Sequence, residues 1–416
     1  MVPASAVAQV SFYSAPPAGS PSVSAPSASA KAAAPSDTGD AKGGGVSLGT
    51  GIFSRNPFSL TAAVREGFDN NVFTTNTDEK SSFYTNIAAG LNYSFGSPRL
   101  SLNTGINGGV TYYYTRPGDK VDFNGQLFLN AVYLATPRLT LSIATSTAYL
   151  SQPDLSILGS TNRQNGDYLY SSTVISAGYQ WSQKFSTVTS YTLNIIYYLD
   201  NGLNQVQGHI DQTISQSALW LLLPKTALVA EYRANPVTYY DADLDSFNNF
   251  FLVGFDQVFN PRLKWSLRGG IQVGFDENPV DGSSIYVGPY GESTVSYQFA
   301  PASSVVLNLR YGTEASGITD VTQRETFRAG FALVHGFTPR LSASLGLSYQ
   351  VNHYDQSSVI NSFYENVLDI AVGLNYKINR FTSISAGYQF TIDSAPDWTG
   401  RDYTRDVVYV GANFGF

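Results

Sequence analysis

Residues 338–350 read Thr-Pro-Arg-Leu-Ser-Ala-Ser-Leu-Gly-Leu-Ser-Tyr-Gln, a tight turn followed by a strictly alternating run. From Leu341 the odd positions are apolar, while the even positions are small or polar. Because successive side chains of a strand point to opposite faces, this pattern predicts a long strand with one apolar face. The same turn, a polar residue followed by Pro-Arg-Leu, occurs at 97–100, 136–139 and 260–263.

Four looser turns fill the gaps between these copies and complete an internal repeat. The second residues of all the turns are Pro98, Pro137, Gln183, Pro224, Pro261, Pro301, Pro339 and Asn379, separated by 37 to 46 residues. Each interval holds two alternating runs joined by a polar loop, which is the pattern of one β-hairpin. Eight turns between nine hairpins predict eighteen strands.

The length of the runs favours a membrane barrel over a soluble all-β sandwich. They extend for about twelve to fifteen residues, whereas soluble strands average about five or six. Aromatic residues collect near the run ends, as in the girdles of membrane barrels: Tyr93, Phe95, Tyr112, Tyr114, Tyr133, Tyr179, Trp181, Tyr297, Phe299, Phe337 and Tyr376. Since a bilayer offers no partner to an open edge, the first strand must pair with the last. We therefore predict an all-β fold, a single transmembrane antiparallel up-and-down β-barrel of eighteen strands.

The composition of the chain argues against several kinds of site and partner. The chain has 416 residues and no cysteine, so disulfides and thiolate metal sites are excluded. Its net charge of −7 argues against a nucleic-acid partner. Residues 1–50 are rich in Ala, Pro, Ser and Gly and predict a disordered N-terminal extension, with the barrel at 51–416. Ala6-Val7-Ala8 fits the remnant of a signal-peptide cleavage site, although such triplets also arise by chance in an Ala-rich segment.

The polar face of the strands is assigned to the lumen, where cations and anions are nearly balanced. The pore-lining candidates are Arg65, Arg233, Glu231, Arg268, Glu292, Arg310, Arg328 and Asp369. Such a wall favours passive diffusion of small polar solutes, including neutral, sugar-like ones, with weak ion selectivity. Alternatively, these charges pair across neighbouring strands and only structure the wall, as we expect for Glu231 with Arg233 and for Arg310 with Arg328.

The longest loop, 151–168, is the candidate constriction. It combines Asp154, Arg163 and Asp167 with apolar Leu155 and Ile157. An apolar cluster makes sense if the loop folds inward and narrows the pore. The alternative is an outward surface loop in contact with lipopolysaccharide.

Catalytic and metal-binding patterns are weak. The three histidines lie in different hairpins without metal-ligand spacing, so we predict neither an enzyme nor a cofactor. Asp241, Asp243 and Asp245 resemble the start of an EF-hand loop, but Ser246 replaces the required glycine and the downstream glutamate is missing. A solvated acidic loop is favoured over a calcium site, and no metal is predicted.

The chain also resembles known bacterial proteins at both ends of the barrel. Tyr409, Gly411, Phe414 and Phe416 match the C-terminal insertion signal of outer-membrane barrels, which implies recognition by the barrel-assembly machinery. The opening hairpin, 64–73 and 83–95, is similar to that of the putative beta-barrel porin family, although Phe68 and Asn70 depart from its usual Tyr-Asp-Asp-Asn.

This resemblance implies a porin in the outer membrane of a Gram-negative bacterium, surrounded by outer-membrane lipids and lipopolysaccharide. Members of the family are often associated with exopolysaccharide export. The alternative function is therefore a structural or polysaccharide-export accessory barrel that binds a partner. Both a monomer and a homo-oligomer remain open.

Overall fold

The computed structural model describes residues 57–151, 167–200, 208–240, 244–276, 284–318, 321–355, 361–396 and 402–416. All regular structure within these ranges is β-strand. The strands are β1 Phe58–Asp69, β2 Ser82–Gly96, β3 Leu100–Tyr113, β4 Val121–Leu134, β5 Leu139–Leu150, β6 Tyr168–Gln180, β7 Phe185–Tyr198, β8 His209–Leu223, β9 Thr226–Tyr239, β10 Ser246–Asn260, β11 Leu263–Asp276, β12 Ser284–Ala300, β13 Ser303–Ile318, β14 Val321–Gly336, β15 Leu341–Tyr354, β16 Phe363–Lys377, β17 Thr382–Ser394 and β18 Tyr403–Gly415.

The strands form one closed ring in chain order. Each strand pairs antiparallel with the next, and β1 also pairs with β18. At this closure Arg65 lies opposite Gly411, and Leu60 exchanges backbone hydrogen bonds of 3.1 and 2.8 Å with Phe416. The predicted eighteen-stranded up-and-down barrel is therefore confirmed.

The repeated turns owe their sequence to a side-chain hydrogen bond. In the 338–341 turn, Thr338 Oγ1 accepts from the backbone N–H groups of Arg340 and Leu341 at 3.2 and 2.9 Å. Asn260 Oδ1 does the same for Arg262 and Leu263 at 2.8 and 3.0 Å. A Ser, Thr or Asn oxygen can satisfy these turn donors, which explains why one of these residues precedes the proline. The turns at Ser97, Thr136, Ser182 and Asn379 use the same bond.

The two faces of the wall differ as the alternation predicts. On β2, Phe83 and Ile87 are exposed on the outer surface, whereas Tyr84 and Asn86 are buried on the inner side. The outer surface is thus an apolar band, and the inner surface is mainly polar. Within the described ranges, no helix has the length and apolar character needed to span a bilayer.

Both described ends of the chain lie at the rim that carries the short turns. Phe416 is exposed, and its ring stacks at 6.4 Å on Phe381 in the last turn. The longer loops therefore lie at the opposite rim, which we call the loop side. The predicted extension, 1–50, lies outside the described residues, so its division from a barrel at 51–416 remains a prediction.

Candidate functional site

Inward side chains of β9 to β16 form a polar cluster on one side of the lumen, and its two halves meet where the Arg310 guanidinium lies 5.7 Å from the centroid of the Tyr290 ring. We call it the lumen network; it consists of Glu231, Arg233, Asp256, Arg268, Tyr290, Glu292, Arg310, Glu314, Arg324, Arg328, Asn352, Tyr354 and Glu365. Its members alternate with outward residues, so the strand period of two delivers them to one surface. The network places five arginines beside five carboxylates.

Arg233 is the centre of the first half of the network. Its Nε donates to Glu231 at 2.6 Å, and its Nη1 and Nη2 donate to both oxygens of Glu292 at 3.0 and 2.7 Å. Glu292 lies on β12, so the pair spans β10 and β11 along the inner wall. Tyr290 donates its hydroxyl to Glu292 at 2.6 Å. Only 3 % of Arg233 is exposed, and it makes the shortest cation contacts of both buried carboxylates.

Arg268 connects this group to the turn side of the wall. Its Nη2 donates to both oxygens of Asp256 at 2.8 and 3.0 Å. Its Nε lies 3.7 Å from Glu231, and its Nη1 donates to the carbonyl of Phe255 at 3.1 Å. A planar guanidinium can serve several acceptors at once, so Arg268 fixes β10 and β11 together from inside the barrel.

Glu314 is the centre of the second half. Its carboxylate lies 3.2 Å from Arg310 and 3.3 Å from Arg324, and it also accepts from Arg328. Three cations therefore share one carboxylate. The local charge is positive even though the whole network is balanced.

Arg324 links this group to the last part of the network. It donates to the Tyr354 hydroxyl at 3.2 Å, and Tyr354 in turn donates to Glu365 at 2.9 Å. Asn352 donates to the same carboxylate oxygen at 2.6 Å. Hydrogen-bonded contact therefore continues from β13 to β16.

The eight pore-lining candidates all lie on the inner face, and six of them belong to the network. The expected pair of Glu231 and Arg233 is present at 2.6 Å. The expected pairing of Arg310 with Arg328 is wrong as a direct contact, because both are cations. They lie opposite each other on β13 and β14, and Glu314 bridges them.

The other two candidates lie outside the network. Arg65 is buried against the ring of Tyr409, with its guanidinium carbon 5.2 Å from the ring centroid. This packing needs Gly411, because a Cβ there would approach Arg65 Cγ to 2.6 Å. Asp369 accepts from Gln389 and Thr391 at 2.8 and 2.7 Å. Both residues therefore hold neighbouring strands together.

Two of the loop candidates, Asp167 and Asp245, fall among the described residues. Asp154, Leu155, Ile157, Arg163, Asp241 and Asp243 lie outside the described residues. Asp167 accepts a 2.5 Å bond from the Tyr149 hydroxyl, and Asp245 accepts one of 2.8 Å from the backbone N–H of Tyr239. Among the described residues, His and carboxylate side chains form no group able to hold a metal ion.

Sequence reasoning missed several members of the wall. Arg324 was recoverable, because it precedes Arg328 by four positions and so shares its face. Tyr290 and Tyr354 could not be singled out, because tyrosines are common throughout the chain. Gln272, which is fully buried, carried no signal because neutral amides are common on both faces.

This chain is similar to several known proteins. Residues 221–416 match the family model described as "Putative beta-barrel porin 2", and this region contains the whole lumen network. Among solved structures, OccAB4 of Acinetobacter baumannii is 11% identical with a TM-score of 0.44, covering 87% of this chain and 99% of that one. OccK1 (OpdK) of Pseudomonas aeruginosa is 9% identical with a TM-score of 0.46, covering 86% and 99%. The comparison with curated protein sequences finds no match.

Proposed function

We propose that this barrel, whose residues 221–416 match the beta-barrel porin model named above, is an outer-membrane porin and a passive diffusion channel for small polar solutes, including neutral, sugar-like ones. A barrel of sixteen to eighteen strands generally encloses an aqueous lumen. The apolar outer band supports a position of the barrel among membrane lipids, and the proposal assigns lipopolysaccharide to the loop side. The same family assignment supports transport rather than catalysis.

The observation that carries the solute class is the internal neutralisation of the lumen network. Its five arginines are held by five carboxylates through short contacts, so the network offers little net charge to a passing ion. Half-buried hydroxyl and amide groups such as those of Asn107, Ser142 and Ser176 add further hydrogen-bonding groups to the inner wall. Uncharged polar solutes can exchange hydrogen bonds with such a surface without strong retention.

Liposome swelling tests this proposal directly. In vesicles containing the purified barrel, we expect swelling rates that fall from arabinose to glucose to raffinose, because passage is limited by size alone. Gluconate should enter at a rate close to that of glucose, because the wall has weak charge preference. Absence of swelling with all four solutes would contradict a diffusion channel and favour an accessory barrel that holds a partner.

A second experiment concerns Phe416 and the proposed insertion signal. We expect Phe416→Asp to lower the amount of barrel in outer-membrane fractions severalfold, since it places a charge at the apolar rim and removes the terminal aromatic. The measurement is quantitative blotting together with heat-modifiable mobility.

Phe337→Asp is the matched control, because Phe337 is also exposed at the turn-side rim but lies outside the C-terminal pattern. Assembly-machinery recognition predicts a much larger loss for Phe416→Asp. Equal yields of the two variants would remove the C-terminal pattern from the account.

A further inference from the structure

The wall contains a seam between β12 and β13 on the loop side. Backbone pairing of these strands ends at Gly291 opposite Tyr311. Both strands nevertheless continue: β12 stays paired with β11 as far as Ser284, and β13 stays paired with β14. We call the facing segments, 284–290 of β12 and 312–314 of β13, the seam.

Pro289 explains why the ladder stops. Two residues beyond Gly291 and Tyr311, the register would place Pro289 opposite Thr313. Proline has no N–H and cannot donate to a neighbouring strand, so prolines in sheets are found where pairing ends. The carbonyl of Thr313 is thus left without its usual backbone donor.

The side chain of Gln272 closes the seam in place of the missing backbone bonds. Its Oε1 accepts from the Thr313 N–H at 3.1 Å, and its Nε2 donates to the Thr313 carbonyl at 2.7 Å. The same nitrogen lies 2.7 Å from the Tyr286 hydroxyl and 3.1 Å from Asn248 Oδ1. A buried side-chain amide therefore reproduces the donor and acceptor of a strand neighbour.

This closure differs mechanically from the rest of the wall. A backbone ladder separates only if whole strands move, whereas a side-chain bridge opens by rotation about its own torsions. Gly312 lets the Tyr290 ring pack directly on the strand backbone at the same point, because a Cβ there would lie 2.7 Å from that ring. The seam can therefore open sideways by rotation of one side chain, without separation of a backbone ladder.

Apolar side chains flank the seam on both faces. On the outer surface, Ile285 and Val287 are 70 % and 68 % exposed. On the inner side, Phe250, Leu252 and Tyr290 form a buried cluster, with the Phe250 and Tyr290 rings 4.9 Å apart. Elsewhere the lumen network makes this inner wall charged. The seam thus joins an internal apolar patch to the lipid-facing surface through one polar bridge.

We propose that the seam is a lateral exit through which an amphipathic solute, a molecule with a polar head and an alkyl chain, passes between the lumen and the surrounding lipid. The polar head would exchange hydrogen bonds with Gln272, Tyr286 and Asn248 while the chain passes between the apolar flanks. This route goes beyond the proposed function, which concerns passage along the barrel axis.

Because the chain has no cysteine, a disulfide can lock the seam selectively. A Cβ at Gly288 would lie 3.4 Å from Thr313 Oγ1, so Gly288→Cys with Thr313→Cys places two thiols within bonding reach. The matched control is Gly346→Cys with Ala371→Cys on the fully paired strands β15 and β16, where the two Cβ atoms would lie 3.8 Å apart.

The probe is 11-(dansylamino)undecanoic acid, whose fluorescence rises when it enters a bilayer, added to cells of a porin-deficient Gram-negative host that express each variant. We expect oxidation of the seam pair to reduce uptake to the level of cells without the barrel, and a reductant to restore it. The control pair should leave uptake unchanged. Gln272→Ala should raise uptake about fivefold, since it removes the hydrogen bonds that hold the seam closed.

Glucose swelling by the same purified variants separates this proposal from axial diffusion. The lateral exit predicts that locking the seam leaves glucose entry intact. Unchanged probe uptake in the locked barrel would overturn the proposal, as would an equal loss of probe and glucose entry. Absence of glucose entry in the unmodified barrel, with lockable probe uptake, would instead contradict axial diffusion and support the lateral route.

Discussion

Arg233→Met is expected to lower the free energy of unfolding by about 3–5 kcal/mol, because it leaves buried Glu292 without its bidentate cation and leaves Glu231 with only the longer contact to Arg268. The methionine keeps much of the side-chain volume, so the loss reports charge compensation rather than a cavity. Urea unfolding in detergent, followed by the fluorescence of the four tryptophans, measures the change.

Two controls define what this loss means. Lys184→Met, in an exposed turn, removes the same charge and should change stability by no more than about 0.5 kcal/mol. Adding Glu292→Gln to Arg233→Met should recover part of the loss, since one uncompensated carboxylate disappears. A barrel with Arg233→Met as stable as one with Lys184→Met would show that the network does not support the wall.

Glu314→Gln is expected to convert weak selectivity into a clear preference for anions. It leaves Arg310, Arg324 and Arg328 without the carboxylate they share, so the lumen gains one net positive charge at a crowded point. One charge acting over about 10 Å at an effective dielectric of about 20 is sufficient for about a tenfold change in the chloride-to-potassium permeability ratio. Reversal potentials in a potassium chloride gradient measure this ratio.

The matched control for this experiment is Glu66→Gln. Glu66 lies on the outer, exposed face of β1, where it accepts a 2.8 Å bond from Thr85, so the variant makes the same change in net charge away from the lumen. We expect its permeability ratio to equal that of the unmodified barrel. Equal shifts in the two variants would place Glu314 outside the conduction path.

The fold could be predicted because it rests on local patterns. The turn beginning at Thr338 combines a side-chain acceptor with a proline, and the alternation that follows it needs no knowledge of distant partners. Counting the repeats fixed the strand number, and the impossibility of an open edge in lipid required β1 to meet β18. Each step uses information carried by a few neighbouring residues.

The site was only partly predictable because its contacts are not local. Alternation placed Arg233 on the inner face, but its main partner Glu292 lies three strands away. Positions that lie opposite each other on neighbouring strands do not always bind each other. Arg310 and Arg328 face each other on β13 and β14, yet both bind Glu314. Strand tilt, side-chain length and shared acceptors decide these contacts. None of these can be read from the alternation of inward and outward residues.

The seam too could be predicted from the sequence only in part. Pro289 lies within an alternating run, which indicates from the sequence alone that backbone pairing with a neighbouring strand fails there. That Gln272 would supply the missing donor and acceptor depends on its reach across β12 to Thr313. Only the assembled barrel determines that a side chain takes the place of a backbone hydrogen-bond partner here.

The central claim, a water-filled axial path with a nearly neutral wall, is tested most directly by recording currents from the purified barrel in a planar lipid bilayer under a potassium chloride gradient. The account predicts steady open-channel current and a reversal potential near zero, because cations and anions of the lumen network compensate each other. No current, or a reversal potential close to the Nernst potential of either ion, would contradict it.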